Sequence, residues 1–343
     1  MGKIDPTPAP VTLNLQGVVD PVICQPGENI RGTDRNDNID GTPGIDRLRG
    51  LDGNDRLRGF NCNDMLDGGR GNDRLAGGAF RDVLMGRQNN DAARGNAGDD
   101  VINLGLGFDK GYGGDGNDIV YGRRGADFIK GRGGNDTLLG GRGKDRVIGG
   151  ANDDFLDGQQ NDDFLRGSNG NDTQNGGLGA DRHRGGRQAD RIVGRRGADT
   201  IWGGKGADTL IGSRGNDRLA GHTQNDEIDG GDGNDRIIGG NGEDRIRTGR
   251  GSDRITYRSA LHGVDRILDF DVEFDKFNLA PIFNNKPEYG RANRFNAYVR
   301  IGNSDNGAIL RVDSNGDPAG GFVRLAILRG VEASSLSASN FLV

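Results

Sequence analysis

Counted in nines from Gly32, position 6 is aspartate in all 25 successive nonapeptides, from Asp37 to Asp253, without insertion or deletion. Position 1 is glycine in 23 of them, failing only at Leu104 and Thr248, while position 4 is glycine in 17 and position 2 in 12. Position 8 is apolar in 22, the exceptions being Gly111, Gln174 and His183. No proline falls between Pro43 and Pro281, so a backbone ladder can run unbroken. A period this strict belongs to a stacked, quasi-one-dimensional architecture and argues against disorder. With 65 glycines and 32% hydrophobic residues among 343, the chain cannot fill a thick core, but it can fill thin repeated layers.

Each position has a physical reading. Glycines at 1, 2 and 4 permit positive φ and a sharp turn with exposed carbonyls. Positions 7 to 9 suit a short strand, with position 8 inward and its neighbours outward. Two nonapeptides then make an 18-residue coil with a turn at each edge. Coils stack as parallel strands about 4.8 Å apart, giving a rod of roughly 60 Å. One inward side chain in nine is thin payment for the entropy of ordering the rest, so something further must bind the turns. Carboxylates and bare carbonyls are the oxygen ligands that calcium takes six to eight at a time. Turn capping by aspartate through its own backbone is the competing reading, but capping alone would admit asparagine or serine somewhere among the 25 positions.

The stretches GGDGNDRII, GGRGNDRLA and GGKGADTLI resemble the hemolysin-type calcium-binding (RTX) repeat. The resemblance implies an all-β fold, a right-handed parallel β-roll (a β-solenoid of 18 residues per coil) with a small C-terminal β cap. It also implies multiple calcium ions between the turns of alternate repeats. Position 6 would ligate through carboxylates, and positions 2 and 4 through backbone carbonyls. Odd and even repeats would line opposite edges. The best-matched aspartates on the odd edge are Asp55, Asp73, Asp109, Asp127, Asp145, Asp181, Asp199, Asp217, Asp235 and Asp253. On the even edge they are Asp100, Asp118, Asp136, Asp208 and Asp244. The matching position-4 carbonyls are those of Gly107, Gly116, Gly125, Gly134, Gly143, Gly179, Gly197, Gly215, Gly233 and Gly251. Eight repeats carry Arg35, Cys62, Phe80, Asn89, Asn152, Asn161, Gln188 or Gln224 at position 4, and of these only asparagine takes a left-handed conformation readily.

The formal charge is only −6, and the basic residues are unevenly placed. Position 7 of the odd repeats carries Arg56, Arg74, Lys110, Arg146, Arg182, Arg218, Arg236 and Arg254. About twenty bound calcium ions would turn the total to roughly +34, and a rod so charged attracts polyanions. Acidic polysaccharide or lipopolysaccharide is the expected partner of such a face, and nucleic acid, which charge alone would admit, is not. A solvated face with locally paired arginines is the plainer reading. In a third reading, turn arginines such as Arg124, Arg142, Arg196 and Arg214 neutralise aspartates in place of some calcium.

Three segments follow: 1–31 as a partly ordered N-terminal cap, 32–256 as the calcium-binding roll, and 257–343 as a C-terminal β cap and targeting region. The stretch GVDRILDFDVEFDKFNLAPIF resembles the closing segment of such rolls, and ASSLSASNFLV the C-terminal region of type I secreted proteins. The resemblance therefore implies export by the type I machinery and an extracellular, secreted or cell-surface location. Strands are expected around turns at Asn306-Gly307 and Asn315-Gly316, and the alternation of Asp313, Asn315 and Asp317 could hold one more calcium, although a plain hairpin turn is the simpler reading. Cys24 and Cys62 leave one pairing open, between the N-terminal segment and the early repeats. No apolar run is long enough to span a membrane. No H-E-x-x-H or G-x-S-x-G motif occurs, only 31 residues precede the repeats, and His183, His222 and His262 are not expected to converge into a zinc site, so the chain reads as a non-enzyme. Threonines are too scattered for an ice-binding ladder.

Overall fold

The computed structural model describes residues 24–260, 262–284, 298–313 and 321–343. Every nonapeptide supplies one strand, and each strand pairs in parallel with the one 18 residues away: Leu57 opposite Leu75, Leu66 opposite Leu84. Strands of odd repeats form one sheet and those of even repeats the other. The result is the parallel β-roll expected from the period.

The strands are longer than the three residues expected. A typical one, Arg56–Asn61, runs from position 7 through position 3 of the next nonapeptide, with Leu57 and Gly59 both buried. Position 1 therefore points inward as well as position 8. From Leu51 onward, positions 2 and 4 keep a left-handed backbone even without glycine. Eighteen non-glycine residues, among them Arg87, Arg123 and Gln188, have φ between 73° and 100°. The ladder on either side holds them there, because a coil cannot abandon its turn without unpairing its neighbours.

The core is a double stack of position-8 side chains in two blocks, Ile39 to Leu165 and Ile192 into the C-terminal cap. Gln174 and His183 separate the blocks. Both are fully buried, Gln174 Nε2 donates to the Arg184 carbonyl at 2.8 Å, and His183 Nδ1 lies 3.2 Å from Gln174 Oε1. The missing side chain at Gly111 is replaced by that of Leu104, since a Cβ at Gly111 would lie 3.1 Å from Leu104 Cδ1.

Parallel stacking extends past the nonapeptides at both ends. Strand Pro26–Arg31 pairs with Ile45–Asp52, and a disulfide joins Cys24 to Cys62. Asp265–Ile267 and Lys276–Asn278 continue the two sheets, followed by Phe322–Leu328 on one and Phe341–Leu342 on the other. Val299–Ser304 and Gly307–Asp313 add an antiparallel hairpin, turning at Asp305 and Asn306, one residue before the expected Asn306-Gly307. Phe341 stacks on Phe277, and Phe277 on Phe270. The expected turn at Asn315-Gly316, and with it Asn315 and Asp317, lies outside the described residues. No helix among the described residues is long and apolar enough to cross a membrane.

Candidate metal centre

The aspartates of position 6 form two ladders, one along each edge of the roll. From Asp46 to Asp253 every one is buried. From Asp55 on, Oδ1 of each accepts the backbone N–H of the aspartate 18 residues earlier, as in Asp109 N–H to Asp127 Oδ1 at 2.9 Å and Asp217 N–H to Asp235 Oδ1 at 2.8 Å, and Oδ1 of Asp46 accepts that of Glu28. Among the described residues, Oδ2 finds no hydrogen-bond partner in any of the 23 aspartates from Asp55 to Asp253. A buried carboxylate oxygen left unpaired is costly, and here it recurs once per nonapeptide.

That oxygen explains the glycine at position 1. These glycines do not have positive φ, contrary to the sequence expectation. They lack a side chain because a Cβ at Gly95 would overlap Asp100 Oδ2, and the same holds at Gly50, Gly113 and Gly131. Around the turn, the position-4 carbonyls line up along the axis: a Cβ at Gly125 would run into the Gly107 carbonyl oxygen, and one at Gly143 into that of Gly125. Among the described residues no backbone N–H bonds to these carbonyls. Each turn thus offers orphaned carboxylate oxygens and free carbonyls, a donor set of oxygens that suits a hard cation.

Electrostatics point the same way. Burial pushes the ladder carboxyls up, the accepted backbone N–H offsets this in part, and neighbouring aspartates of the ladder raise several further. Asp82, Asp91, Asp154 and Asp226 reach about 8 and Asp163 about 9. None of the six ion pairs among the described residues includes a ladder aspartate. Turn arginines therefore do not neutralise the ladder, and that reading is set aside.

All fifteen aspartates singled out from the sequence sit in the ladders, and the ten named glycines in the turns. The structure does not rank them above the rest. Asp64, Asp82, Asp163 and Asp226, in repeats lacking the position-4 glycine, have the same orphaned Oδ2. Two members outside the nonapeptides were not anticipated. Asp265 accepts from Asp244 N–H, and Asp275 from Asp253 N–H, both at 3.0 Å. The signal for them was the triad of aspartate, basic residue and apolar residue in Asp265-Arg266-Ile267 and Asp275-Lys276-Phe277.

The eight basic residues at position 7 of the odd sheet make no ion pair among the described residues. Arginines and rings alternate there instead. Arg94 lies over Tyr112, Arg146 over Phe128 and Phe164, and Arg184 over Phe164 and Trp202, at 4.8 to 6.0 Å from the ring centroids. The histidines fall in two places. His183 is a core residue, held near 3 by burial, but His222 and His262 line one cleft with Arg258. Burial, and then the Arg258 charge, lower both imidazoles from their usual value.

The fold and its turns define a repeat protein of the parallel β-roll class with oxygen-lined edges. The model of the RTX calcium-binding nonapeptide repeat matches residues 40–75, 76–110, 112–147, 148–182, 184–219 and 220–255, and the chain belongs to that family. Among solved structures, it is similar to the AlgE6R3 subunit from the Azotobacter vinelandii mannuronan C5-epimerase, determined in solution. The two share 32% identity over 46% of this chain and 80% of that one, with a TM-score of 0.26. No curated protein matches the chain.

Proposed function

We propose that this chain is a secreted, non-enzymatic β-roll that folds on calcium outside the cell, after export by the type I route, and serves a structural role at the cell surface or in extracellular matrix. The observation that carries this is the row of 23 buried, unpartnered Oδ2 atoms. Two neighbouring turns of one edge would hold each ion, with Asp181, Asp199, Asp217, Asp235 and Asp253 on the odd edge and Asp100, Asp118 and Asp136 on the even edge as the first candidates. Bound calcium supplies the positive charge that lets buried carboxylates stay ionised. The chain supplies the rest: Oδ1 fixes the next coil through a backbone N–H, position-1 glycine leaves room for Oδ2, and the left-handed turn aims the carbonyls. Extracellular modules tuned to ~10⁻⁴–10⁻³ M calcium suit a chain that stays unfolded until export. Circular dichroism during a calcium titration, with magnesium as control, tests this. Cooperative gain of β-structure near millimolar calcium is expected; a spectrum already β-rich in chelator and indifferent to calcium defeats the proposal.

A second reading rests on the odd face. Its position-7 residues, Arg56, Arg74, Lys110, Arg146, Arg182, Arg218, Arg236 and Arg254, which make no ion pair among the described residues, together with the guanidinium–ring stripe from Arg94 to Trp202, support binding of acidic polysaccharide or lipopolysaccharide. Substituting Arg146, Arg182 and Arg218 by glutamine lowers retention on an acidic polysaccharide matrix in calcium; unchanged retention removes the reading.

A further inference from the structure

Towards its C-terminal end the odd sheet carries a cleft of about 570 Å³, the size of a small-ligand site. Its floor is made of small and apolar residues of two paired strands, Ala220 opposite Ile238 with Gly240 beside them. Trp202, one strand earlier and in register with Ala220, walls one side. Arg258 and His262, on the segment by which the chain leaves the regular coils, line the cleft as well. Arg218 and Arg236 are in register on one flank, and His222, opposite Gly240, stands on the other.

Three guanidiniums and two imidazoles thus converge in a concavity whose lining includes no carboxylate. None of these arginines forms an ion pair among the described residues. Cations gathered in a low-dielectric recess repel each other and favour an anion, and arginine suits a planar carboxylate best because it can bind it bidentately. The indole and the apolar floor offer a flat surface for the C–H face of a ring. Asn241, Asn278 and Thr256 add amide and hydroxyl groups of the kind that meet sugar hydroxyls. We propose that this cleft binds an acidic sugar unit, its carboxylate held by Arg236 and Arg258 and its ring laid against Trp202. The site is local and discrete, and does not depend on the rest of the odd face being used.

Trp202 is the only tryptophan of the chain and lines the cleft; Arg184 lies over the same ring from the neighbouring strand, so it is loss of the response in the cleft variants Arg258→Gln and Arg236→Gln that assigns the signal to the cleft. In the full-length, calcium-loaded protein, titration with D-glucuronate is expected to change that fluorescence saturably. Glucose, which has the ring without the charge, and acetate, which has the charge without the ring, are expected to leave it unchanged at equal concentration. Arg258→Gln and Arg236→Gln each weaken glucuronate binding by about tenfold, the effect of one charged hydrogen-bond partner. Arg191→Gln, on the even sheet, leaves it unaltered, and Arg258→Lys retains part of it. Circular dichroism of each variant in calcium separates loss of binding from loss of fold, and the calcium titration of the parent chain shows independently whether the proposed calcium-driven folding stands. Absence of a saturable response to glucuronate, an equal response to acetate or to glucose, or full binding by a natively folded Arg258→Gln overturns the proposal.

Discussion

Gly95 and Asp100 share one small volume: the carboxylate of the second occupies the space a side chain on the first would need. Position 1 is thus constrained by space, whereas position 2 is constrained by φ, and where both carry glycine the sequence alone does not tell the two reasons apart. Gly95→Ala is expected to cost about 1–3 kcal/mol, as overpacking does, read as a higher calcium midpoint for folding by circular dichroism. Leu104 breaks the rule at position 1 and is kept because Gly111 leaves a rung empty. Leu104→Ala leaves a cavity and should cost about 2–5 kcal/mol. In a double-mutant cycle, Leu104→Gly with Gly111→Leu should recover much of what Leu104→Gly loses, in urea unfolding. Strict additivity of the two changes would show that the side chains do not share one space.

At the scale of the strand and turn, the period made nearly all of the roll legible, because side-chain direction in a stacked coil follows residue number. What it hid was anything that depends on a neighbour 18 residues away. Strand length is one case: positions 1 to 3 look like turn in isolation, and only the ladder to the next coil makes them strand. The Cys24–Cys62 bridge is another, since nothing in the spacing of two cysteines fixes their pairing. It closes a loop of 38 residues around the first coils, worth about 4 kcal/mol by chain entropy. Reduction should therefore fray Pro26–Arg31 and Ile45–Asp52 first, seen as faster amide exchange there with Arg218–Thr223 unchanged. The ladder itself has a signed pH response. The ladder carboxyls from Asp64 to Asp235 sit near 3.8 when unfolded and at about 6 to 9 when buried, so the folded state binds more protons between those values. Without metal, stability is then highest on the acid side and falls as pH rises from about 4 to 9. Chelated protein should hold more β-structure at pH 5 than at pH 8. With calcium holding the carboxylates ionised, acid removes the ion and the slope reverses. An identical pH profile with and without calcium would rule out cation binding at the ladders.

Over the whole molecule, a solenoid is as cooperative as its weakest interface between coils. Here that interface is identifiable: the apolar stack stops at Leu165 and resumes at Ile192, with Gln174 and His183 between. Elsewhere the coils pass apolar side chains to one another, Leu104 standing in at the Gly111 rung, while here the stack holds an amide and an imidazole. His183 Nε2 is buried without a hydrogen-bond partner, a cost of about 1–3 kcal/mol. Burial also keeps its ring neutral, so below about pH 6.5, where the unfolded imidazole takes up a proton, this pair weakens the roll further. The C-terminal block carries the stacked cap of Phe270, Phe277 and Phe341, and the N-terminal block carries the disulfide. Each block has its own closure, so partial unfolding should divide the rod between them rather than peel it from one end. Urea titration at limiting calcium is expected to show two steps, followed at the C-terminal block by Trp202 fluorescence and over the whole chain by circular dichroism. Replacing both residues, Gln174→Leu with His183→Leu, joins the two stacks, removes the orphaned nitrogen and should merge the steps into one at higher urea. If the parent already unfolds in a single step with both probes coincident, the turn ladders, which run past this point without interruption, couple the blocks more strongly than the core divides them.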